Sequence, residues 1–413
     1  MSLSPFAVEA PVCSVFPSGM KLVCCPAASP AEYFGVAVNV GSRDEAPGEY
    51  GLAHFVEHTI FKGTGRRSPS YIINRMEAVG GELNAFTSKE ETYIYSAFPA
   101  GNLRRAMELI ADLITGSTFP ESELRKERTV VKEEIEACRD TPSDCVFDDF
   151  EDAIFQGSQL GHNILGDVAS VSAFTSADCR RWLRGNYTAG RMTVFYYGAT
   201  PAARVRREVE RFFGGIPAGE QPRRSVPGSV APFVRYNDGE QSHQANTVIG
   251  APAPGIYSPR RHAMALLVNI LGGPGMNSRL NVALRERRGL VYSVEASLAR
   301  FTDCGLFTVY FGCDPDNNLR CLDLVRRQLH LISTEALRPR VLHSAKKQYL
   351  GQMSMAAVNV EQTVMGMARS MMYLDRVASP AEIVASVEAL TADDLLEAAA
   401  VMEPSLCSSL TIV

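Results

Sequence analysis

An internal repeat constrains this chain more than any other feature of its sequence. Asn102-Leu103-Arg104-Arg105 opens a helical pattern of apolar residues, and Asn318-Leu319-Arg320 opens another. Thr175-Ser176-Ala177-Asp178 carries the residue types that start a helix, and so does Thr391-Ala392-Asp393-Asp394. The offset is 216 residues in both cases, from 102 to 318 and from 175 to 391. After each threonine come a short helical stretch and a β-rich run, Arg191 to Tyr197 and Ser408 to Val413. Two landmarks at one spacing argue for a duplicated domain. Between the copies lies Gly214 to Pro232, rich in Gly and Pro and without hydrophobic periodicity, as linkers are. The expected organisation is residues 1–213, a linker at 214–232, and residues 233–413. The length of 413 residues agrees, since it gives a prior of two to three domains of about 150 residues.

Each copy mixes strands with long helical patterns. Thr92 to Phe98 and Leu306 to Phe311 are rich in aromatic and β-branched residues, as strands are. The clear helices come in adjacent pairs, such as Gly101 to Thr115 and Pro120 to Arg139. That order argues for α+β and against a strict βαβ alternation. The expected fold is two tandem homologous domains, each a mainly antiparallel sheet with helices packed on one face.

Composition narrows the function. The net charge is only −5, and no dense Lys/Arg block occurs, so neither nucleic acid nor an anionic membrane is an expected partner. The first residues lack a basic stretch followed by an apolar one, and no run of 18 apolar residues follows later. Ten cysteines contain no CxxC pair and read as reduced, partly buried thiols. A soluble cytoplasmic protein is the expectation.

Gly51 to Lys62 reads GLAHFVEHTIFK. Leu52, Phe55, Val56 and Ile60 recur at helical spacing, and Gly63 is a natural stop. On such a helix His54 and His58 sit on one face, one turn apart, where two imidazoles can share a zinc ion. Glu57 then lies beside the metal, free to take a proton from water. A third ligand must come from elsewhere, because a catalytic zinc has three protein ligands and one open position. The acidic helix Pro120 to Arg139 offers Glu127 and Glu134, seven apart and nearly on one face, with Glu133 reading as a solvated neighbour. Pattern alone does not choose between Glu127 and Glu134.

HFVEH is the inverted zinc motif HxxEH. The chain resembles the pitrilysin family, which includes insulin-degrading enzyme and the mitochondrial processing peptidases. The resemblance covers the whole chain. It is carried by Gly51-Leu52-Ala53 before the motif, Phe61-Lys62-Gly63-Thr64 after it, Gly80 to Thr87, Pro142, and Leu160 to Gly166. It implies a third ligand roughly 75 residues beyond the motif, which selects Glu134, with Glu127 supporting the ligands. It implies zinc as cofactor and a peptide as substrate, laid along an edge strand at Asn84, Ala85 and Phe86. Leu271 to Val294 looks like the family's glycine-rich turn followed by an Arg and Tyr pair, here Arg285 and Tyr292, which would steady the oxyanion.

The second copy is expected to lack a metal site. At the 216-residue offset, His54, Glu57, His58 and Glu134 fall on Ile270, Gly273, Pro274 and Leu350. Members of the family enclose a chamber from four similar domains, and this chain has two. A homodimer is the expected remedy, with Arg285 and Tyr292 acting in trans on the partner's zinc. Two alternatives stand beside this one: a non-catalytic assembly subunit, and one half of a heterodimeric processing peptidase.

Overall fold

The structure is a computed structural model, and it describes residues 10–237 and 244–413. The first half carries β1 (Val12–Val15), β2 (Lys21–Pro26), β3 (Ala31–Val38), α1 (Leu52–Thr59), α2 (Pro69–Glu77), β4 (Glu82–Thr87), β5 (Thr92–Pro99), α3 (Leu103–Gly116), α4 (Glu121–Arg139), α5 (Pro142–Ile154), α6 (Val168–Ala173), α7 (Ser176–Asn186), β6 (Met192–Gly198) and α8 (Ala202–Phe213). The second carries β7 (Val234–Asn237), β8 (Ala245–Ala253), α9 (Arg261–Gly272), β9 (Val291–Arg300), β10 (Gly305–Cys313), α10 (Asn318–Thr334), α11 (Pro339–Ala356), α12 (Val360–Leu374), α13 (Pro380–Glu388), α14 (Ala392–Ala399) and β11 (Ser408–Ile412).

One sheet has the strand order β1-β2-β6-β3-β5-β4, the other β7-β11-β8-β10-β9. In the first, β2 and β6 run parallel and the remaining pairs antiparallel. In the second, β7 and β11 run parallel and the rest antiparallel. Without β1 the two sheets share one order and one parallel pair. The chain therefore holds two copies of a single α+β fold. The copies match down to their caps: Thr175 and Asp178 close a reciprocal capping box on α7, and Thr391 and Asp394 close one on α14.

Strand alternation gives each sheet two faces. In the first sheet Leu22, Phe34, Val36, Ile94 and Val194 pack into the core with the apolar sides of α1, α3 and α8. Cys25, Tyr93 and Tyr95 point the other way, and α12 covers them. There Tyr95 donates to Glu361 at 2.9 Å, Cys25 Sγ meets Met367 Sδ at 3.3 Å, and Arg369 pairs with Glu91 at 2.5 Å. In the second sheet Ile249, Phe307 and Val309 join the core of α9 and α10. Its other face, with Val248, Tyr310 and Leu410, is covered by Val146, Phe150 and Ile154 of α5.

The compact units are consequently not the two halves of the chain. Unit 1 takes the described part of Met1–Glu136 with Asn163–Arg224 and Ala356–Ser379. Unit 2 takes Ala137–His162, the described part of Ser225–Met355, and Pro380–Val413. α5 and α12 follow equivalent helix pairs, yet each completes the sheet of the other copy. The boundaries expected at 213 and 233 come from the sequence repeat, while the compact units follow the burial of the second sheet faces. The stretch from Gly214 to Pro232 has no helix or strand, but it is anchored. Within it Arg224 donates to Asp44 at 2.7 Å and to Asn39 at 2.9 Å, with its side chain buried. No helix among the described residues is long and apolar enough to cross a membrane.

The α7 cap gives a direct test of the local reading. Burial pushes the Asp178 carboxyl up, but bonds from Thr175 and Arg181 outweigh it and hold the pKa below the usual aspartate range. A carboxyl held low stabilises the fold above its unfolded pKa, and that contribution is lost as pH falls through the folded value. Thr175→Ala is expected to cost about 1 kcal/mol at neutral pH, measured by urea unfolding. The deficit should shrink as pH drops below the usual aspartate range. Unchanged stability at neutral pH would contradict the cap.

Candidate metal centre

The site begins with the way α1 starts. Gly51 precedes it with φ of 94°, a left-handed conformation that strains any residue with a Cβ. A Cβ there would also meet the Leu165 carbonyl oxygen at 2.5 Å. The first turn leaves backbone amides without helical partners. Buried Glu45 accepts two of them, Gly51 N–H at 2.9 Å and Ala53 N–H at 2.7 Å. Its negative charge also suits the positive end of the helix dipole. From this fixed start α1 buries Leu52, Phe55 and Val56. One turn apart, the His54 and His58 rings come within 4.5 Å, centroid to centroid.

α4 brings the carboxylates. Its core residues Leu124 and Val131 are seven apart, and Glu127 and Glu134 each follow one of them by three positions. Both glutamates therefore leave the helix beside its buried seam. Arg128 fixes the helix against its surroundings by donating to the Phe174 carbonyl at 2.6 Å, and the Phe174 ring packs on Phe55 of α1 at 5.6 Å.

The result is a three-way convergence. Glu134 Oε2 lies 3.7 Å from His54 Nε2 and 3.5 Å from His58 Nε2. The three donor atoms fall within 4.8 Å of one another. Ligands placed tetrahedrally at ~2.1 Å from zinc stand about 3.4 Å apart, so both distances to Glu134 are close to the edges of a tetrahedral site. Burial, and then His58, push the His54 pKa down to about 3. That ring is neutral at physiological pH, the form that binds a metal. Two imidazole nitrogen donors with one carboxylate fit zinc by chemistry as well as by spacing. Glu134 is 44% exposed while His54 is only 9% exposed, so the cluster is open on the Glu134 side.

Glu127 sits behind His58. Its Oε2 is 3.4 Å from His58 Nδ1, and its Oε1 pairs with Lys62 Nζ at 2.6 Å. Sequence reading placed Glu127 there but missed Lys62. The signal was only partial: Lys62 is four residues after His58, but α1 ends at Thr59. Glu57 is half-buried, and burial raises its pKa; Thr87 and His58 pull the other way, and Glu134 adds to the rise. Thr87 was also missed. It ends β4, the outer strand of its sheet. Asn84, Ala85 and Phe86 all lie on that strand, whose far side has no partner strand among the described residues. Asn84 Nδ2 contacts Glu82 at 3.3 Å, Ala85 packs against the core, and the Phe86 ring stacks on Tyr93 at 4.6 Å.

In unit 2, Arg285 occupies a π-helical turn, Asn281–Glu286, and is exposed. Tyr292 is 66% exposed on β9, the outer strand of the second sheet. The register passes from Ser293 opposite Gly312 to Val291 opposite Cys313, so Tyr292 is the extra residue of a bulge. Both expected residues stand on local irregularities, which turn side chains out of the regular pattern. The equivalents of the metal donors need correction. The connection before α9 is shorter than that before α1, so a uniform offset of 216 overshoots. Aligning the helix starts, 52 with 261, puts His54, Glu57 and His58 on Ala263, Leu266 and Leu267, all buried in the core. Gly273 and Pro274 lie past the end of α9. Aligning α4 with α11 puts Glu134 on Gln352 and not on Leu350. None of these is a histidine, cysteine or carboxylate.

The ion pair behind His58 predicts a measurable effect. Lys62→Met should weaken zinc binding roughly 10-fold or more, the usual scale for outer partners of a metal ligand, in competition with a chromophoric chelator. Lys62→Arg should keep most of the affinity. Equal zinc affinity in Lys62→Met and the parent chain would remove Lys62 from the site.

The site and the fold can now be set beside known proteins. The description "Insulinase (Peptidase family M16)" matches residues 27–168, and "Peptidase M16 inactive domain" matches residues 173–349. An uncharacterized zinc protease of Streptomyces coelicolor is 34% identical over 391 residues, 92% of this chain and 85% of that protein. One from Mycobacterium tuberculosis is 37% identical, covering 78% of this chain and 74% of the relative. A crystal structure of a peptidase M16 inactive domain from Pseudomonas fluorescens superposes with a TM-score of 0.89 at 17% identity, covering 98% of both chains. A protease from Helicobacter pylori superposes with a TM-score of 0.88 at 19% identity, covering 98% of this chain and 99% of that one. At such identities the two structures speak for the fold alone. Family descriptions across both copies, and relatives of this identity over most of their length, establish that the chain belongs to peptidase family M16, the insulinase or pitrilysin family.

Proposed function

We propose that this chain is a zinc metalloendopeptidase that hydrolyses peptide bonds of unfolded peptides. The observation that carries the proposal is the convergence of His54, His58 and Glu134 beside the raised Glu57 carboxylate, next to the end of an open edge strand. The three residues would hold zinc, which when bound supplies Lewis acidity and acidifies water. Glu57 takes the proton of the attacking water and passes it to the leaving amine. The half-burial that raises its pKa suits it to both steps. The outer edge of β4 pairs with the main chain of an extended peptide, and Asn84, Ala85 and Phe86 flank that peptide. Arg285 and Tyr292, exposed on their irregular turns, hold the scissile carbonyl oxygen as it gains charge.

The chain contains two copies of the fold, where family members close a chamber with four. Pairing as a homodimer supplies the missing two, and Arg285 and Tyr292 then serve the partner's zinc. A closed chamber admits flexible chains more readily than folded proteins. The working place is the cytoplasm, and neither nucleic acid nor a membrane is a partner.

Three measurements test this reading. Peptide turnover should vanish with a chelator and return with zinc. Glu57→Gln should retain zinc while turnover falls by roughly 10²–10⁴-fold; full zinc loading with no peptide cleavage in the parent chain would favour the non-catalytic subunit instead. Mixing inactive Glu57→Gln with inactive Arg285→Ala should restore activity if the sites are shared between chains. Subunit exchange without recovery would overturn sharing in trans, and a purified chain that remains monomeric until a different subunit is added would favour the heterodimer.

A further inference from the structure

A cavity of about 340 Å³ opens within unit 2, at the root of the glycine-rich turn. Its walls come from α9, from the turn itself and from the first turns of α11. Two arginines line it, Arg279 from the turn and Arg340 from α11, and no carboxylate does. Arg279 is half-buried, and burial lowers its pKa; Glu335 offsets part of that from a distance without forming an ion pair. A guanidinium presents five donors, and taking it partly out of water without an acceptor is unfavourable.

The neighbouring amides bond to one another and not to the two guanidiniums. Asn277 and Gln348 donate to each other, at 2.9 and 3.0 Å, and Asn269 donates to Gln352 at 2.8 Å. The first pair ties the turn to α11, the second ties α9 to α11, and together they fix the cavity wall. Gly275 lets the turn lie that close, because a Cβ there would meet Asn277 Oδ1 at 2.6 Å and Gln348 Nε2 at 2.7 Å. The wall is held in place by neutral amides while the positive charge is left without a partner.

We propose that this cavity binds a compact oxyanion, a carboxylate or phosphate group held between Arg279 and Arg340. Planar guanidinium groups match both anions through paired N–H donors. The volume suits one such group with a few attached atoms. Two sources share this chemistry, the terminal carboxylate of a peptide and free phosphate. The inference concerns unit 2 alone and does not depend on the peptidase reading.

The test titrates the full chain, purified without added metal, by calorimetry with three probes: inorganic phosphate, an acetylated tetrapeptide with a free C-terminal carboxylate, and the same peptide as its C-terminal amide. Saturable binding of phosphate or of the free-carboxylate peptide is expected, with affinity at least ~10-fold lower in both Arg279→Gln and Arg340→Gln. The phosphate and peptide arms tell the two sources apart, and the amide reports any binding that ignores the carboxylate. Arg340 is exposed, so its substitution tests the site without disturbing the core. Arg279→Gln should leave the unfolding midpoint unchanged or raised, because it removes a partly buried charge with no partner. A lowered midpoint would mark Arg279 as a structural residue. Absence of saturable binding at millimolar phosphate and peptide, or affinities indifferent to both substitutions, would overturn the proposal.

Discussion

The approach of Glu134 to two imidazoles is the interaction around which unit 1 is built. Two imidazole nitrogens and a carboxylate oxygen within 3.5–3.7 Å need a proton or a cation among them. Such a grouping persists only where the surrounding structure imposes it. Here the imposition is visible at each end. Glu45 and the left-handed Gly51 set the start of α1. Arg128, through the Phe174 carbonyl and the Phe174 ring on Phe55, sets α4 against it. Lys62 and Glu127 then hold the far nitrogen of His58. The candidate metal donors are thus placed by helix starts, ring packing and one ion pair, all lying outside the donor set itself.

The duplication explains why the described residues hold one such cluster and not two. Both copies keep the strand order and the capped helix before the last strand. In the first copy the α1 face carries His54, Glu57 and His58; in the second the same positions hold Ala263, Leu266 and Leu267, which pack into the core. A polar cluster and an apolar seam are alternative uses of one helix. The exchange of α5 and α12 ties the copies together by packing as well as through the chain. Each sheet has an apolar second face, and burying a large side chain there is worth roughly 1.5–3 kcal/mol. Among the described residues, neither copy covers that face with a helix of its own.

Much of this was legible in the sequence, and the limits follow from the range of each signal. His54, Glu57 and His58 lie on one helix, so their spacing alone brings them together. The strands at Thr92 and Leu306 announce themselves by composition, and the repeat by its offset. Glu134 lies 76 residues beyond His58, on another element, and local pattern left it level with Glu127. Thr87 gave no signal because its relation to Glu57 is tertiary. The ownership of α5 and α12 was hidden for a similar reason: hydrophobic periodicity shows that a helix has an apolar face, not which sheet that face will cover. The uniform offset failed at α9 because loop lengths differ between copies, and periodicity says nothing about loop length. The π-turn at Arg285 and the bulge at Tyr292 leave no mark in the sequence for a related cause, since both are departures from the regular patterns on which sequence reading depends.

The central claim is that the first copy holds one zinc ion through nitrogen and oxygen donors of α1 and α4. X-ray absorption at the zinc edge of the loaded chain tests it most directly. The account predicts one zinc per chain in a shell of nitrogen and oxygen at ~2.0–2.2 Å, with imidazole scattering from two rings. Substituting His54 or His58 should remove one ring from that scattering. A sulfur shell near ~2.3 Å would place the metal among the ten cysteines instead, and a spectrum indifferent to those histidines would contradict the claim outright.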